Sequence, residues 1–163
     1  MRVVIQKVKS ASVTVDNQVV SQIGRGLLLL VGLSTTDTVE EVTKLANKVL
    51  KLRLFENEFD AAKGCWNGKP WAFNTKQAEA EILSVSQFTL YANLKKGAKP
   101  DFHRAMKGEH AIELYSEFMR QLAVELSEEK VKDGKFGAMM DVALVNDGPV
   151  TIVYDTNECL ESK

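Results

Sequence analysis

The sequence contains little of what metal and redox proteins rely on. Its 163 residues include two cysteines, Cys65 and Cys159, and two histidines, His103 and His110. Neither cysteine has a neighbour at a ligand spacing, and no H-E-x-x-H or C-x-x-C motif occurs, so we predict no metal site and no cofactor. Two isolated cysteines also indicate free thiols, and hence a cytoplasmic protein.

Long apolar runs and an excess of either charge are also missing. The longest apolar run, Leu27 to Val31, is far shorter than the roughly 18 residues that span a bilayer, and the start M-R-V-V-I-Q-K-V lacks a signal-peptide pattern. We therefore expect no membrane role. The formal net charge is -1, so any contact with nucleic-acid phosphates has to be local.

The common hydrolase and nucleotide-binding motifs are absent as well. No G-x-S-x-G elbow and no phosphate-binding P-loop occurs, and Gly24-Arg25-Gly26 lacks the third glycine of a dinucleotide fingerprint. A serine hydrolase of the usual kind and a P-loop nucleotide enzyme are therefore both disfavoured.

Short apolar runs in the first third of the chain predict β-strands. Val3 to Val8, Ala11 to Val15 and Val19 to Ile23 are rich in β-branched residues, while Leu27 to Val31 is typical of a strand buried on both faces. Asp16-Asn17 has the turn chemistry expected between two hairpin strands. This third of the chain is therefore predicted to be sheet.

Two stretches with helical spacing follow. Asp37 and Glu40 have the spacing of a capping box and begin the first predicted helix. The second helix is predicted within residues 105–126 from an apolar stripe of Ile112, Tyr115, Phe118 or Met119, Leu122 and Leu126. We predict an α+β fold with one domain over residues 1–155 and a polar tail over residues 156–163. The sheet is expected to be mostly antiparallel or a partly closed barrel, with the two helices packed on it.

Two polar or charged regions have more than one interpretation. The aromatic residues of the predicted loop 56–76 either form a binding lid or fasten the loop to the body. The dense basic cluster Lys95, Lys96, Lys99, His103, Arg104 and Lys107 either holds phosphates at a helix start or is a solvated surface.

Two further stretches offer groups for chemistry. Residues 86–90, S-Q-F-T-L, place hydroxyl, amide and aromatic groups at the end of a strand predicted from Glu81 to Tyr91. Residues 146–149, N-D-G-P, interrupt two apolar runs, so strand pairing is expected to stop there. The Gly148-Pro149 carbonyls can accept hydrogen bonds from an ammonium group. From base rates alone this peptide is expected to be trans.

These two stretches carry a family resemblance. S-Q-F-T-L at 86–90 together with N-D-G-P-V-T at 146–151 resembles the motif pair of D-aminoacyl-tRNA deacylases, which hydrolyse D-amino acids from tRNA. I-Q-K-V-x-x-A-S-V-T-V at 5–15, K-P-D-F-H at 99–103 and G-x-F-G-A-x-M at 134–140 are also similar to that family. The likeness extends from Met1 to about Tyr154.

The resemblance implies a homodimer that acts on the 3′ end of aminoacyl-tRNA. In it a cis Gly148-Pro149 peptide enters the partner's site, blocks L-amino acids and admits D-amino acids and glycine. The implied catalytic residues are Ser86, Gln87 and Thr89, and the implied substrate-binding residues are Phe88, Phe136, Met140, Gly148 and Pro149. Lys7 stands where the family often has an arginine that supports the Gly-Pro loop.

Two routes for the ester hydrolysis remain open. Thr89 is the side-chain nucleophile candidate, but no base lies near it in sequence. Alternatively, the ribose 2′-OH assists while the backbone N–H groups around Phe88 and Thr89 form an oxyanion hole. Two rival functions also remain, namely a non-catalytic module that binds the tRNA end and a hydrolase of small esters that ignores RNA.

Overall fold

The structure is a computed structural model that describes residues 1–95 and 97–158. Helix α1 spans Val39–Lys51 and helix α2 spans Glu109–Leu126. The strands are β1 Arg2–Val15, β2 Gln18–Ile23, β3 Gly26–Gly32, β4 Arg53–Phe55, β5 Phe59–Asp60, β6 Cys65–Trp66, β7 Phe73–Asn74, β8 Glu81–Ser86, β9 Val131–Asp133 and β10 Asp141–Asp155. Short 3₁₀ turns occur at Phe88–Tyr91 and Glu128–Lys130.

The main sheet has the strand order β10-β1-β3-β8-β9, with β2 paired to the far end of β1. The contacts of β1 with β2, β3 and β10 are antiparallel, whereas β3–β8 and β8–β9 are parallel. Strand β2 approaches β8 and β9, so the sheet nearly closes into a barrel. The predicted α+β class and its partly closed barrel with two main helices are confirmed.

Two apolar clusters fill the molecule. One lies between the sheet and both helices and includes Ile5, Leu29, Leu45 and Phe118. The other lies inside the curved sheet and includes Leu28. Leu28 and Leu29 point to opposite faces of β3 and are both fully buried, which confirms the prediction for this strand.

Two predicted boundaries in the first third of the chain need correction. The two short strands predicted before residue 16 are one strand, β1, which continues through the exposed pair Lys9-Ser10. Helix α1 is capped by Thr38 with Glu41, one residue later than predicted, because Asp37 instead accepts hydrogen bonds from the Ser34 N–H and the Met1 amine.

The second helix also differs in detail from the predicted stripe. It begins at Glu109 after Gly108, and Ile112 is 46% exposed, while Ala111 and Leu114 are buried. Phe118 and Leu122 are fully buried, as the helical spacing predicted. The buried face is therefore rotated slightly from the predicted one.

Pairing of β10 with β1 is interrupted after Asn146, as predicted, but the strand continues beyond the interruption to Asp155. Gln6 pairs with Thr151 and Val8 pairs with Asn146, so the four residues 147–150 bulge out opposite Lys7. The side-chain amide of Asn146 closes this bulge by accepting from the Val150 N–H at 2.7 Å and donating to the Val150 carbonyl at 3.2 Å. Pairing resumes beyond the bulge, and the Gly148-Pro149 peptide within it is cis.

The end of β8 and the start of the C-terminal tail also differ from the prediction. Strand β8 ends at Ser86, and the chain then turns as a 3₁₀ helix instead of continuing as strand to Tyr91. Thr156, which was assigned to the tail, is buried, and its N–H donates to the Met1 carbonyl at 2.9 Å. Residues 159–163 of the predicted tail lie outside the described residues.

Candidate active site

A pocket of about 340 Å³ opens at the ends of β3 and β8. Its wall includes Ser86, Gln87, Phe88 and Phe136, four of the predicted site residues. The rest of the wall is formed by Val31, Leu33, Phe102, Met106, Lys107, Gly108, Ala111 and Gly137. Most of these groups are apolar, so the pocket suits a flat or apolar group with a few polar contacts at its edge.

The strand-to-turn transition after β8 positions the polar edge. The Gln87 N–H donates to the Val31 carbonyl at 2.7 Å, which is the last hydrogen bond between β8 and β3. The 3₁₀ turn starts at the next residue. Among the described residues, the N–H groups of Phe88 and Thr89 have no hydrogen-bond acceptor, as expected at the start of a helical turn. Two backbone donors are thus available beside the pocket.

Thr89 lies at the rim and not in the wall of this pocket. Its side chain is exposed, and its hydroxyl accepts a hydrogen bond from the Gln87 side-chain amide. An amide cannot remove a proton, and within the described chain the Thr89 hydroxyl contacts no histidine, carboxylate or lysine. The structure therefore shows no base for a threonine nucleophile.

Aromatic rings form the two sides of the pocket. Phe88 is 52% exposed and packs edge-on against Phe102, with ring centroids 5.1 Å apart. Phe136 lies opposite and contacts Tyr115, with centroids 5.7 Å apart. Exposed rings of this kind provide faces on which a nucleobase stacks.

A hydrogen-bond cluster supports the Phe136 side from below. The Tyr115 hydroxyl lies 2.8 Å from Asp133 Oδ1 and 2.9 Å from the hydroxyl of the fully buried Ser84. Burial raises the pKa of Tyr115, and the nearby Asp133 charge raises it further, so the phenol stays protonated and donates to the carboxylate. This cluster ties β8, α2 and β9 together beneath the pocket.

The structure places Gly148 and Pro149 away from this pocket in the same chain. They oppose Lys7 on β1, whereas Ser86 pairs through Val31 with Val3. Across the sheet they are separated by three strand spacings, about 14 Å, and along the strands by four residues, about 13 Å. Measured over the sheet, the separation is therefore roughly 20 Å. One chain alone does not bring the two predicted parts of the site together.

The Gly-Pro bulge rests on a buried ion cluster. The Lys7 side chain is 5% exposed, and its Nζ lies 2.6 and 2.8 Å from the two Glu56 oxygens and 3.6 Å from Asp147 Oδ2. Arg25 lies 3.6 Å from Glu56 on its other side. Burial alone would raise the pKa of Glu56, but its hydrogen bond to Lys7 and the two positive charges hold it below the ordinary value.

The aromatic loop 56–76 is fastened to this cluster. The Arg25 guanidinium lies 3.6 Å from the centre of the Trp66 ring, and Trp66 packs against Phe59. Trp71 is 56% exposed and lines a cavity of about 330 Å³ together with Gly148 and Pro149. Trp66 thus fastens the loop, while Trp71 lies beside the bulge.

The other candidate residues are dispersed. Met140 does not line the pocket, because it packs near Gly134 and its sulfur accepts from the Lys135 N–H at 3.3 Å. Of the basic cluster, Lys107 lies in the pocket wall, and Lys95, His103 and Arg104 line a separate groove. Lys96 and Cys159 are outside the described residues, and Cys65 is a free, exposed thiol.

Comparison with known proteins assigns the chain to a family. The profile described as D-Tyr-tRNA(Tyr) deacylase matches residues 4–155. The D-aminoacyl-tRNA deacylase of Candida glabrata is 55% identical over 97% of this chain and 100% of its own length, and that of Saccharomyces cerevisiae is 54% identical over 97% of this chain and 100% of its own. The chain belongs to the D-Tyr-tRNA(Tyr) deacylase family. Because a deacylase is a hydrolase, the predicted enzyme class is confirmed.

Solved structures show the same architecture. One described as c-Myc DNA Unwinding Element Binding Protein is 46% identical and has a TM-score of 0.84 over 95% of this chain and 98% of that chain. Another, titled as a probable eukaryotic D-amino acid tRNA deacylase, has a TM-score of 0.75 at 19% identity over 94% of this chain and 97% of that chain, which shows a shared fold.

Sequence reasoning missed several features of this candidate site. Phe102 occurs in the K-P-D-F-H motif, but nothing local indicates that its ring meets Phe88. Glu56 reads as the start of a loop, and its bond to Lys7 spans 49 positions of the chain. The one signal in the sequence was Lys7 itself, a charged residue within the apolar pattern of a buried strand, because a buried charge requires a partner of opposite charge.

In the described part of the chain no helix is long and apolar enough to cross a membrane. Among the same residues, no three histidine, cysteine, aspartate or glutamate side chains are grouped as metal ligands.

Proposed function

We propose that this family member hydrolyses the ester of D-aminoacyl-tRNA and of glycyl-tRNA and rejects L-aminoacyl-tRNA, with an active site shared between two copies of the chain. The cytoplasm, where aminoacyl-tRNA is used in translation, is the proposed compartment. The substrate class is supported by the named relatives and by the aromatic pocket, which offers stacking faces for the terminal adenosine.

The observation that carries the shared site is the separation of its two halves. Within one chain Ser86 lies three strands away from the bulge, which is roughly 20 Å measured over the sheet. A second copy can supply the bulge, because β10 is an edge strand whose Val145 and Val153 are 53% and 71% exposed. A two-fold pair would cover such an edge and would complete both sites at once.

The chemistry proposed here relies on positioning and on backbone donors. An aminoacyl ester is already activated, so an attacking water needs an orienting group and the developing oxyanion needs hydrogen-bond donors. The unpaired N–H groups of Phe88 and Thr89 are the proposed donors, and Gln87 and Ser86 orient the ester. The ribose 2′-OH of the substrate assists the attack, since the Thr89 hydroxyl has no base beside it.

Chirality is proposed to be read by the backbone of the bulge. A 10⁴-fold preference requires about 5.5 kcal/mol, while one side-chain methylene contact supplies about 1–3 kcal/mol, so attraction to the D side chain is insufficient. The Gly148 and Pro149 carbonyls would accept the α-ammonium group and occupy the space of an L side chain. Asn146 and the Lys7–Asp147 contact hold these carbonyls in place.

The deciding experiment compares four ester substrates with the wild-type protein. They are D-aminoacyl-tRNA, L-aminoacyl-tRNA, glycyl-tRNA and a D-amino acid methyl ester without RNA. We expect hydrolysis of the D and glycyl forms of tRNA and little of the other two. Hydrolysis of the methyl ester at the same efficiency would indicate a small-ester hydrolase, and binding of tRNA without any hydrolysis would indicate a binding module.

A further inference from the structure

A large groove of about 1020 Å³ lies next to the active-site pocket. The two share their walls, because neighbouring residues of the chain line one or the other. Leu33 lines the pocket and Ser34 the groove, and Phe102 lines the pocket and His103 the groove. Consecutive Cα atoms are about 3.8 Å apart, so a strand whose last nucleotide occupies the pocket would enter the groove directly.

The lining of the groove carries both paired and unpaired charges. Arg2 is neutralised, because its Nε lies 2.7 Å from Asp155 and the charge of Glu158 is close to it. Lys95 and Arg104 also line the groove, and their side chains make no ion pair with any described residue. This unpaired positive charge is local, since the whole chain has a formal net charge of -1.

The backbone around Lys95 and Arg104 is held by hydrogen bonds. The Thr35 N–H donates to the Arg104 carbonyl at 3.0 Å, and the Lys95 N–H donates to Asn93 Oδ1 at 3.0 Å. The Asn93 N–H in turn donates to the Asp101 carbonyl at 2.7 Å. Both cations therefore project from a fixed wall, which lowers the conformational cost of binding a ligand.

Further polar groups line this groove. The exposed residues Thr35 and Thr36 each contribute a hydroxyl group to the lining. The hydroxyl of the neighbouring Ser34 is used within the fold, because it accepts a hydrogen bond from the Thr36 N–H at 3.4 Å. The Tyr91 ring also lines the groove, but its hydroxyl is fully buried and is not available to a ligand there.

We propose that this groove binds the phosphodiester backbone of the RNA strand that ends in the aminoacylated adenosine, with Lys95 and Arg104 contacting its phosphates. The hydroxyl groups of Thr35 and Thr36 are suited to ribose and phosphate oxygens, which are recognised without sequence preference. This inference rests on the proposed function. It adds a second subsite that distinguishes tRNA from a free aminoacyl nucleoside.

The test uses the full-length chain and two substrates, D-aminoacyl-tRNA and D-aminoacyl-adenosine. Lys95→Ala/Arg104→Ala should lower kcat/KM for the tRNA substrate by about tenfold and leave the ratio between variant and wild type near one for the nucleoside substrate. Because each lost single-strand phosphate contact removes about 0.7 from the slope of log kcat/KM against log salt, the double variant should lose about 1.4. Lys51→Ala/Arg53→Ala removes two exposed charges far from the groove and serves as the matched control.

Direct binding separates failure of this inference from failure of the proposed function. Fluorescence anisotropy with an uncharged RNA hairpin ending in a single-stranded 3′ tail should show weaker binding for the groove variant than for the control. Equal RNA binding by both variants, or an equal loss of activity on both substrates, would overturn the groove. Wild-type protein that binds RNA through the groove but hydrolyses neither substrate would overturn the proposed function alone.

Discussion

Replacing Glu56 by alanine would leave the Lys7 ammonium buried with one distant counter-charge. Lys7 loses two oxygens at 2.6 and 2.8 Å and keeps Asp147 at 3.6 Å. Removing one partner of a buried ion pair costs about 3–5 kcal/mol, because the remaining charge is then desolvated without compensation. Glu56→Ala should therefore lower the free energy of unfolding by about that amount.

A double-mutant cycle isolates this interaction. The cycle comprises Lys7→Met, Glu56→Ala and the double variant Lys7→Met/Glu56→Ala. The double variant should be less destabilised than Glu56→Ala alone, because no unpaired ammonium remains. Urea unfolding at one fixed protein concentration is the appropriate assay, since self-association shifts apparent stability. Glu58→Ala, an exposed carboxylate two residues away, is the matched control and should stay within about 0.5 kcal/mol of wild type.

Glu56→Ala should also affect the selectivity for D-aminoacyl-tRNA. Asp147 directly precedes Gly148, so a displaced Lys7 should loosen the bulge, and Glu56→Ala should hydrolyse L-aminoacyl-tRNA faster relative to D-aminoacyl-tRNA. A loss of stability no larger than that of Glu58→Ala, or effects of the two single changes that simply add, would refute the cluster as the support of the bulge.

Three further outcomes follow from the site. Thr89→Ala should reduce the hydrolysis rate by less than about tenfold, whereas removing the substrate's terminal 2′-OH should reduce it more; abolition by Thr89→Ala with an unaffected 2′-deoxy substrate would reverse the assignment. Tyr115→Phe should cost about 1–3 kcal/mol in urea unfolding, because the buried Ser84 hydroxyl loses its partner. The folded-state pKa of Glu56 is below 4.5, so its stabilisation is present above that pH and is lost as the pH falls through the folded value. The stability difference between wild type and Glu56→Gln should thus shrink on acidification below about pH 4.5, and a constant difference would contradict it.

Local sequence patterns predicted the strands and helices but not the contacts between them. The continuous apolar run of β3 and the helical stripe around Phe118 were sufficient because each follows a simple period. The continuity of β1 was missed because Lys9 and Ser10 interrupt its apolar pattern, although the backbone ladder continues past them. The cap of α1 shifted because a distant group, the Met1 amine, uses Asp37.

The site shows the same limit. Residues 86–88 were found from a motif, and they do line one pocket. The separation of Gly148 from Ser86 could not be read from the sequence, because it depends on the strand order, in which β10 and β8 are three strands apart. Phe102 and Glu56 were missed because their contacts join segments that are far apart in the chain.

A complementation assay tests the shared active site most directly. Ser86→Leu would fill the pocket, and Gly148→Ala would place a methyl 2.7 Å from Val150 Cγ2 at a backbone φ of +144°, so each variant alone should lose activity on D-aminoacyl-tRNA. Circular dichroism of each variant serves as the control that it is folded. The two are unfolded together and refolded as a mixture, so that subunits exchange.

If the site is shared between two chains, half of the dimers are mixed and each regains one intact site. The mixture should then recover about a quarter of the wild-type rate. Recovery of that size, absent when either variant is refolded alone, is the predicted result. A mixture no more active than its two components would show that each chain carries a complete site and would contradict the account.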